Sequence, residues 1–142
     1  MRKVPVLRPG DTVAFVSPSS PSSAGSLEAS VRAVEEMGFR VKVGPSCHAS
    51  LGYMAGPDEL RAQDVNRMFL DPEVRGIFCL RGGDGATRLP RMIDMASIAR
   101  NPKVFLGYSD ITILHQMFNL HGGFCTFHGP MPATEFTKDT FS

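Results

Sequence analysis

Tryptophan is absent from the 142 residues, tyrosine occurs twice, and there are only three cysteines. Cys47, Cys79 and Cys125 form no C-x-x-C pair and are odd in number, which argues against a disulfide framework or a zinc site. Cys79 and Cys125 lie in apolar runs and are expected to be buried, reduced thiols. No apolar stretch is long enough to suggest a secretory signal or a membrane span, so the expected compartment is the cytoplasm. Charge of one sign is lacking too. Fifteen Lys and Arg face 14 Asp and Glu, a net charge of +1, which gives no electrostatic case for nucleic acid or an anionic membrane. No Gly-Lys-Ser/Thr occurs, and no G-x-G is followed by a third glycine at dinucleotide-binding spacing. No His-x-x-x-His or histidine–carboxylate cluster stands out, so neither metal nor cofactor is expected.

What is present reads as one soluble domain spanning residues 1–142, with 42% hydrophobic and 20% charged residues. Short apolar runs at Thr12–Val16, Arg40–Val43, Gly76–Leu80, Val104–Gly107 and Phe124–Phe127 are predicted strands. The Gly76–Leu80 run is uninterrupted, as in a strand covered on both faces. Between the strands, helical spacing recurs. Leu27, Val31, Val34 and Met37 precede Gly38 as a helix end, and Val65, Met68 and Phe69 follow a Gly56-Pro57-Asp58 start and stop at Asp71-Pro72. Thr87–Ala99 reads as helix in two pieces broken near Pro90, and Ile111, Leu114 and Phe118 mark a last helix. Alternating strands and helices predict an α/β fold: a parallel, flavodoxin-like three-layer sheet with helices on both faces. Ligands in such sheets gather at the carboxyl ends of the strands. Three unusual loops belong there: Ser17–Ser26, Arg81–Ala86 and Tyr108–Asp110.

Gly107-Tyr108-Ser109-Asp110 joins a predicted strand directly to a helix. A serine at such a junction is pushed out of the sheet edge, in front of free helix amides. It lacks the second glycine of the α/β-hydrolase elbow, since Ile111 occupies that position. Helix capping by Ser109 or Asp110 explains the tetrapeptide as well as nucleophilic chemistry does. The loop Arg81-Gly82-Gly83-Asp84-Gly85 lets backbone amides approach a ligand closely, or is simply a tight turn. Arg81 reads equally as a substrate anchor or as one half of a surface ion pair. Of the four histidines, His115 follows Ser109 by six residues and points away from it. His121 sits at a helix end, where the dipole favours a cation. His128 follows a strand and is the one that could reach the active edge.

Taken in order, a set of stretches resembles the LD-carboxypeptidase family, which includes the muropeptide carboxypeptidases and the microcin C immunity peptidases. They are Pro9-Gly10-Asp11-Thr12, Ser17-Pro18-Ser19-Ser20-Pro21, Gly56-Pro57-Asp58 with Arg61-Ala62, Asp71-Pro72, Arg81-Gly82-Gly83, Asn101-Pro102-Lys103, Gly107-Tyr108-Ser109-Asp110-Ile111-Thr112 and His128-Gly129-Pro130-Met131. The resemblance implies that Ser109 is the nucleophile and that backbone amides form an oxyanion hole, by position those of Asp110 and of Gly83 or its neighbour in the glycine loop. It implies a glutamate and a histidine supplied by a C-terminal domain absent from this chain; the substrate contacts expected from the glycine loop are Arg81, Gly82 and Asp84. The implied reaction is cleavage of the L,D-amide that releases the terminal D-alanine of a muropeptide in peptidoglycan recycling. Hydrolysis of a peptidyl-nucleotide antibiotic is the alternative within the family, and a non-catalytic flavodoxin-like binding module the alternative outside it. Members of the family are commonly homodimers, and an isolated N-terminal domain is expected to be inactive. Asp84 departs from the family, which often has tyrosine or another residue there. A carboxylate at this point would repel developing negative charge, turn away, or select a cationic substrate group.

Overall fold

The computed structural model describes residues 1–138. Five strands form one parallel sheet: β1 Thr12–Val16, β2 Arg40–Val43, β3 Val74–Cys79, β4 Val104–Gly107 and β5 Phe127–His128. Their order is β2-β1-β3-β4-β5, the flavodoxin-like arrangement that the alternating pattern predicts. The helices are α1 Ala24–Glu36, α2 Asp58–Leu70, α3 Met95–Ala99 and α4 Thr112–Met117.

Side-chain alternation along the strands builds two cores. Val13 and Phe15 of β1 point to one face, where they meet Leu27 and Val34 of α1 together with Phe78 and Leu80. Ala14 and Val16 point to the other, against Val65 and Phe69 of α2, Ile98 of α3 and Leu114 of α4. Four phenylalanines, Phe69, Phe105, Phe118 and Phe124, hold the second core with centroid distances of 4.8–5.9 Å. The sheet is thus covered on both sides, and its edges are left to carry function.

Local signals place most of the helix ends. Ser23 caps α1 by accepting from the Ser26 amide, and Gly38, at φ +99°, ends it in the left-handed region. The Thr87–Ala99 stretch is more broken than its pattern predicts. Two single turns, Ala86–Arg88 and Pro90–Met92, precede a short α3 that starts anew at the cap Asp94, because Pro90 supplies no amide to continue a helix.

The fifth strand departs from its predicted place. Phe124 is buried among the aromatic rings and bridges Arg2, whose side chain also donates to the Ala99 and Gly122 carbonyls. This tie to the distant N-terminus holds residue 124 outside the ladder, and β5 begins only at Phe127. Cys125 is half-buried rather than buried for the same reason, whereas Cys47, in the turn Pro45–His48, is buried. Cys79 is buried as predicted.

Candidate active site

The loops after β1, β3 and β4 meet at the carboxyl edge of the sheet. Sheet order reverses between β1 and β3, yet the loops that follow them stay in contact, the Ser20 amide donating to the Gly82 carbonyl at 3.2 Å. Ser109 stands at the end of β4, opens a helical turn over Ser109–Ile111 that leads into α4, and is exposed. Its φ is +63°, and it is the one non-glycine residue with positive φ among the described residues. A left-handed conformation costs a side-chain-bearing residue about 1–3 kcal/mol and persists where the surroundings enforce it. A helix-capping serine needs no such strain: the cap position takes extended backbone. The left-handed bend instead swings the hydroxyl out of the sheet edge, the geometry of a nucleophile elbow reached here without the second glycine.

The glycine loop lies against this serine. A Cβ added to Gly82 would stand 3.3 Å from the Ser109 Cβ and 3.6 Å from its Oγ, so any larger residue here would press on the serine. Gly83 has φ +114°, and a Cβ there would lie 2.0 Å from the Ser20 Oγ. Among the described residues the Gly83 amide has no acceptor. The Asp110 amide belongs to the second residue of a helical turn, which the turn itself leaves unpaired. Gly83 lines the same depression as Ser109, and Asp110 follows the serine in the chain. Arg81, Gly82, Gly83, Tyr108, Ser109, Met131 and Thr134 line a shallow depression of about 150 Å³.

Side chains fasten these loops to one another. Asp110 accepts from the Ser19 hydroxyl at 2.7 Å and from the Ala86 amide at 2.9 Å, which joins the elbow to the loops after β1 and β3. Ser20 accepts from the Asp84 amide and donates to the Tyr53 carbonyl. The Asp84 carboxylate itself is exposed. Behind them, Arg61 is wholly buried. It donates to the carbonyls of Gly56 (3.1 Å), Pro18 (2.8 Å) and Gly85 (2.8 Å) and pairs with Asp58, which Arg88 also grips. Burial lowers the Arg61 pKa, and Asp58 opposes the shift. On the other side, the Tyr108 hydroxyl donates to Glu135, which also accepts from the Met131 amide and the Thr134 hydroxyl. Burial would raise the Glu135 carboxyl, but these hydrogen bonds outweigh it and its pKa is lowered.

No histidine lines the depression at Ser109. His115 is buried and fully engaged, and its ring meets the elbow at Gly107 rather than pointing away from it as its spacing predicts. Its Nε2–H donates to the Gly107 carbonyl at 2.8 Å, and Nδ1 lies 2.7 Å from the Thr126 hydroxyl. Desolvation lowers its pKa, with His128 adding to the shift and the Gly107 bond opposing it. His121 lies at a helix end, in the turn Phe118–Gly122, and is exposed. His128, exposed on β5, packs its ring 6.0 Å from Tyr108 and 6.1 Å from His115. Among the described residues no group of three His, Cys, Asp or Glu could hold a metal, and no helix is long and apolar enough to cross a membrane.

Of the residues singled out in the sequence, Ser109, Arg81, Gly82 and Gly83 line one depression, whereas Asp110 turns its carboxylate to Ser19 and Ala86 and Asp84 lies outside the lining. Sequence reasoning missed the fastening role of Arg61, Asp58, Ser19, Ser20 and Glu135. For Arg61 a signal was available: with Val65 and Met68 it occupies positions i, i+4 and i+7, a charge on the apolar stripe of α2.

Residues 13–129 match the LD-carboxypeptidase N-terminal domain family. A probable murein peptide carboxypeptidase of Bacillus subtilis is 41% identical over 137 residues, covering 96% of this chain and 43% of that protein. The microcin C7 self-immunity protein MccF of Escherichia coli is 33% identical over 124 residues, covering 85% of this chain and 36% of that protein. The crystal structure of an MccF-like protein from Bacillus anthracis superimposes with a TM-score of 0.90 at 30% identity, covering 99% of this chain and 43% of that one. The chain thus spans less than half the length of the relatives it matches. Matched over residues 13–129 and alike in fold, it belongs to the LD-carboxypeptidase family, in the part that forms the family's N-terminal domain.

Proposed function

We propose that these 142 residues are the nucleophile-bearing domain of a serine carboxypeptidase that cleaves an L,D-amide and releases the terminal D-residue of a muropeptide. The observation that carries this reading is Ser109: exposed, held at φ +63° at the end of β4, and lining one depression with Gly82 and Gly83. In this reading the Ser109 Oγ attacks the scissile carbonyl carbon and its proton passes to a base. Negative charge collects on the carbonyl oxygen, where the Gly83 and Asp110 amides receive it. Each such donor is worth about 2.7–4 kcal/mol of transition-state stabilisation in known hydrolases. The tetrahedral intermediate collapses to an acyl-serine as the leaving amine takes the proton, and water then releases the acyl group by the reverse steps. Arg81, Gly82 and Asp84 contact the substrate, with the exposed Asp84 carboxylate directed to a cationic group.

The base comes from outside these residues. His115 is committed to Gly107 and Thr126, and neither His121 nor His128 lines the depression. The family resemblance assigns the missing glutamate and histidine to a C-terminal domain, so the chain alone is inactive. A serine without a base is a weak nucleophile, and in subtilisin loss of the serine or histidine alone costs on the order of a millionfold in turnover. A second reading, hydrolysis of a peptidyl nucleotide, is favoured by the 33% identity to MccF. A non-catalytic binding module leaves the strain at Ser109 without a purpose.

The test assays an L,D-tetrapeptide and an aminoacyl sulfamoyl nucleoside with the chain alone, with a separately made C-terminal half, and with Ser109→Ala. Release of D-alanine by the mixture alone, abolished in Ser109→Ala, is the expected result. Turnover of the nucleoside alone transfers the assignment to the second reading. Ser109-dependent release by the chain alone shows an internal base, and His128 becomes the first candidate.

A further inference from the structure

Beside the Ser109 depression lies a second one, of about 310 Å³, lined by Ser22, Ser23, Ser26, Arg81, Ala133 and Thr134. The two are contiguous, since Arg81 and Thr134 line both. Three buried side-chain polar atoms lack a partner among the described residues: Ser22 Oγ, Asp64 Oδ1 and Arg81 Nε. Two of the three belong to residues lining this one depression. Native structures leave few such groups unpaired, and those that remain call for a partner from elsewhere.

The chemistry of that partner follows from the walls. Arg81 only donates; one terminal nitrogen is bound to the Pro21 carbonyl at 3.2 Å, and no acidic side chain pairs with the guanidinium among the described residues. A serine hydroxyl can donate as well. No Asp or Glu lines either depression. The site therefore suits an anion with at least two acceptor oxygens, and a guanidinium fork matches a carboxylate best. An exopeptidase must recognise a free α-carboxylate one residue beyond the bond it breaks. Arg81 lies that close to the nucleophile, because it lines the Ser109 depression itself.

We infer that Arg81, assisted by the Ser22 hydroxyl, is the subsite for the α-carboxylate of the residue to be released. This rests on the serine carboxypeptidase reading and explains why cleavage would be confined to the chain terminus. It also resolves the two roles open to Arg81 in the sequence, anchor or surface ion pair, in favour of the anchor.

The experiment titrates the 142-residue chain with acetyl-L-lysyl-D-alanine and with its C-terminal amide, following the Nε–H resonance of Arg81 by NMR. The carboxylate probe should shift that resonance and bind on the order of 10- to 100-fold tighter than the amide, as expected for a charge-assisted bidentate contact. In Arg81→Met the two probes should bind alike, while the backbone spectrum shows the fold retained. Arg81→Lys should recover part of the preference, since it keeps the charge and loses the fork. Equal affinity of the wild type for both probes, or no binding of either up to the solubility limit, overturns the proposal. So does a carboxylate preference that survives in Arg81→Met. The underlying reading fails separately. A carboxylate preference without Ser109-dependent hydrolysis removes the catalytic assignment and leaves the subsite. Ser109-dependent release without the preference removes the subsite alone.

Discussion

Replacing Arg61 by methionine tests whether the loops of the site are held from behind. The guanidinium is 0% exposed and satisfies the carbonyls of Pro18, Gly56 and Gly85, one from each of three segments that meet beneath the site. Methionine fills much of the volume and donates nothing. Asp58 keeps its contacts to Arg88 at 2.9 and 3.0 Å, so the carboxylate is not left alone. The loss therefore comes from three stranded carbonyls, each costing about 1–3 kcal/mol when buried without a donor. Loop relaxation that admits water brings the sum to the lower end, about 3–5 kcal/mol, the range seen when one side of a buried polar pair is removed. That is a large share of the roughly 5–15 kcal/mol by which a domain is stable. At about 2–4 °C per kcal/mol for a chain near this size, the midpoint should fall by roughly 10–15 °C. Thermal unfolding by circular dichroism, supported by a urea titration, measures it. Arg61→Lys should lie between, since an ammonium cannot span the three acceptors. An Arg61→Met protein within about 1 kcal/mol of wild type would show that the loops hold themselves, and the account of the site's rigidity would be wrong.

Three further outcomes are expected. Gly83→Ala should cost about 2 kcal/mol in a urea titration, because a side chain is strained at φ +114° and its Cβ would meet the Ser20 Oγ at 2.0 Å; an unchanged midpoint contradicts this. Burial pushes the Cys47 thiol up to about 12 and raises Cys79 well above the ordinary range, so only Cys125 should react with a thiol reagent in the native protein, and all three in denaturant. His115 has a native pKa below its unfolded value of about 6.5. The unfolded chain therefore binds the proton first, and stability from His115 is full above that value and lost as pH falls below it. His115→Gln should flatten this acid limb of a stability–pH curve, and an unaltered limb assigns it to other groups.

The sequence exposed the sheet more readily than the site. The β1 and β4 runs, the α1 pattern ending at Gly38 and the Asp71-Pro72 stop are local signals, and local signals survive folding. β5 was displaced because its neighbour Phe124 answers to Arg2, over 120 residues away, and to the rings of Phe69 and Phe118, ties set by tertiary packing. The positive φ of Ser109 was hidden for another reason: no glycine pattern surrounds it. The strain is enforced by tertiary ties, through Asp110 to Ser19 and Ala86 and through Tyr108 to Glu135. The juxtaposition of Gly82 with Ser109 was legible, since neighbouring parallel strands bring their following loops together. The unpaired donors of Arg81 and Ser22 were not, because an unsatisfied group is defined by what surrounds it in space.

The claim on which the account turns is that Ser109 is the nucleophile, and covalent labelling tests it most directly. The chain, mixed with its separately made C-terminal half, is treated with a fluorophosphonate, and the modified residue is located by peptide mass spectrometry. The account gives one adduct, on Ser109, formed rapidly in the mixture, slowly or not at all by the chain alone, and never in Ser109→Ala. An adduct on another serine of a mixture that releases D-alanine, or release that persists in Ser109→Ala, would contradict it.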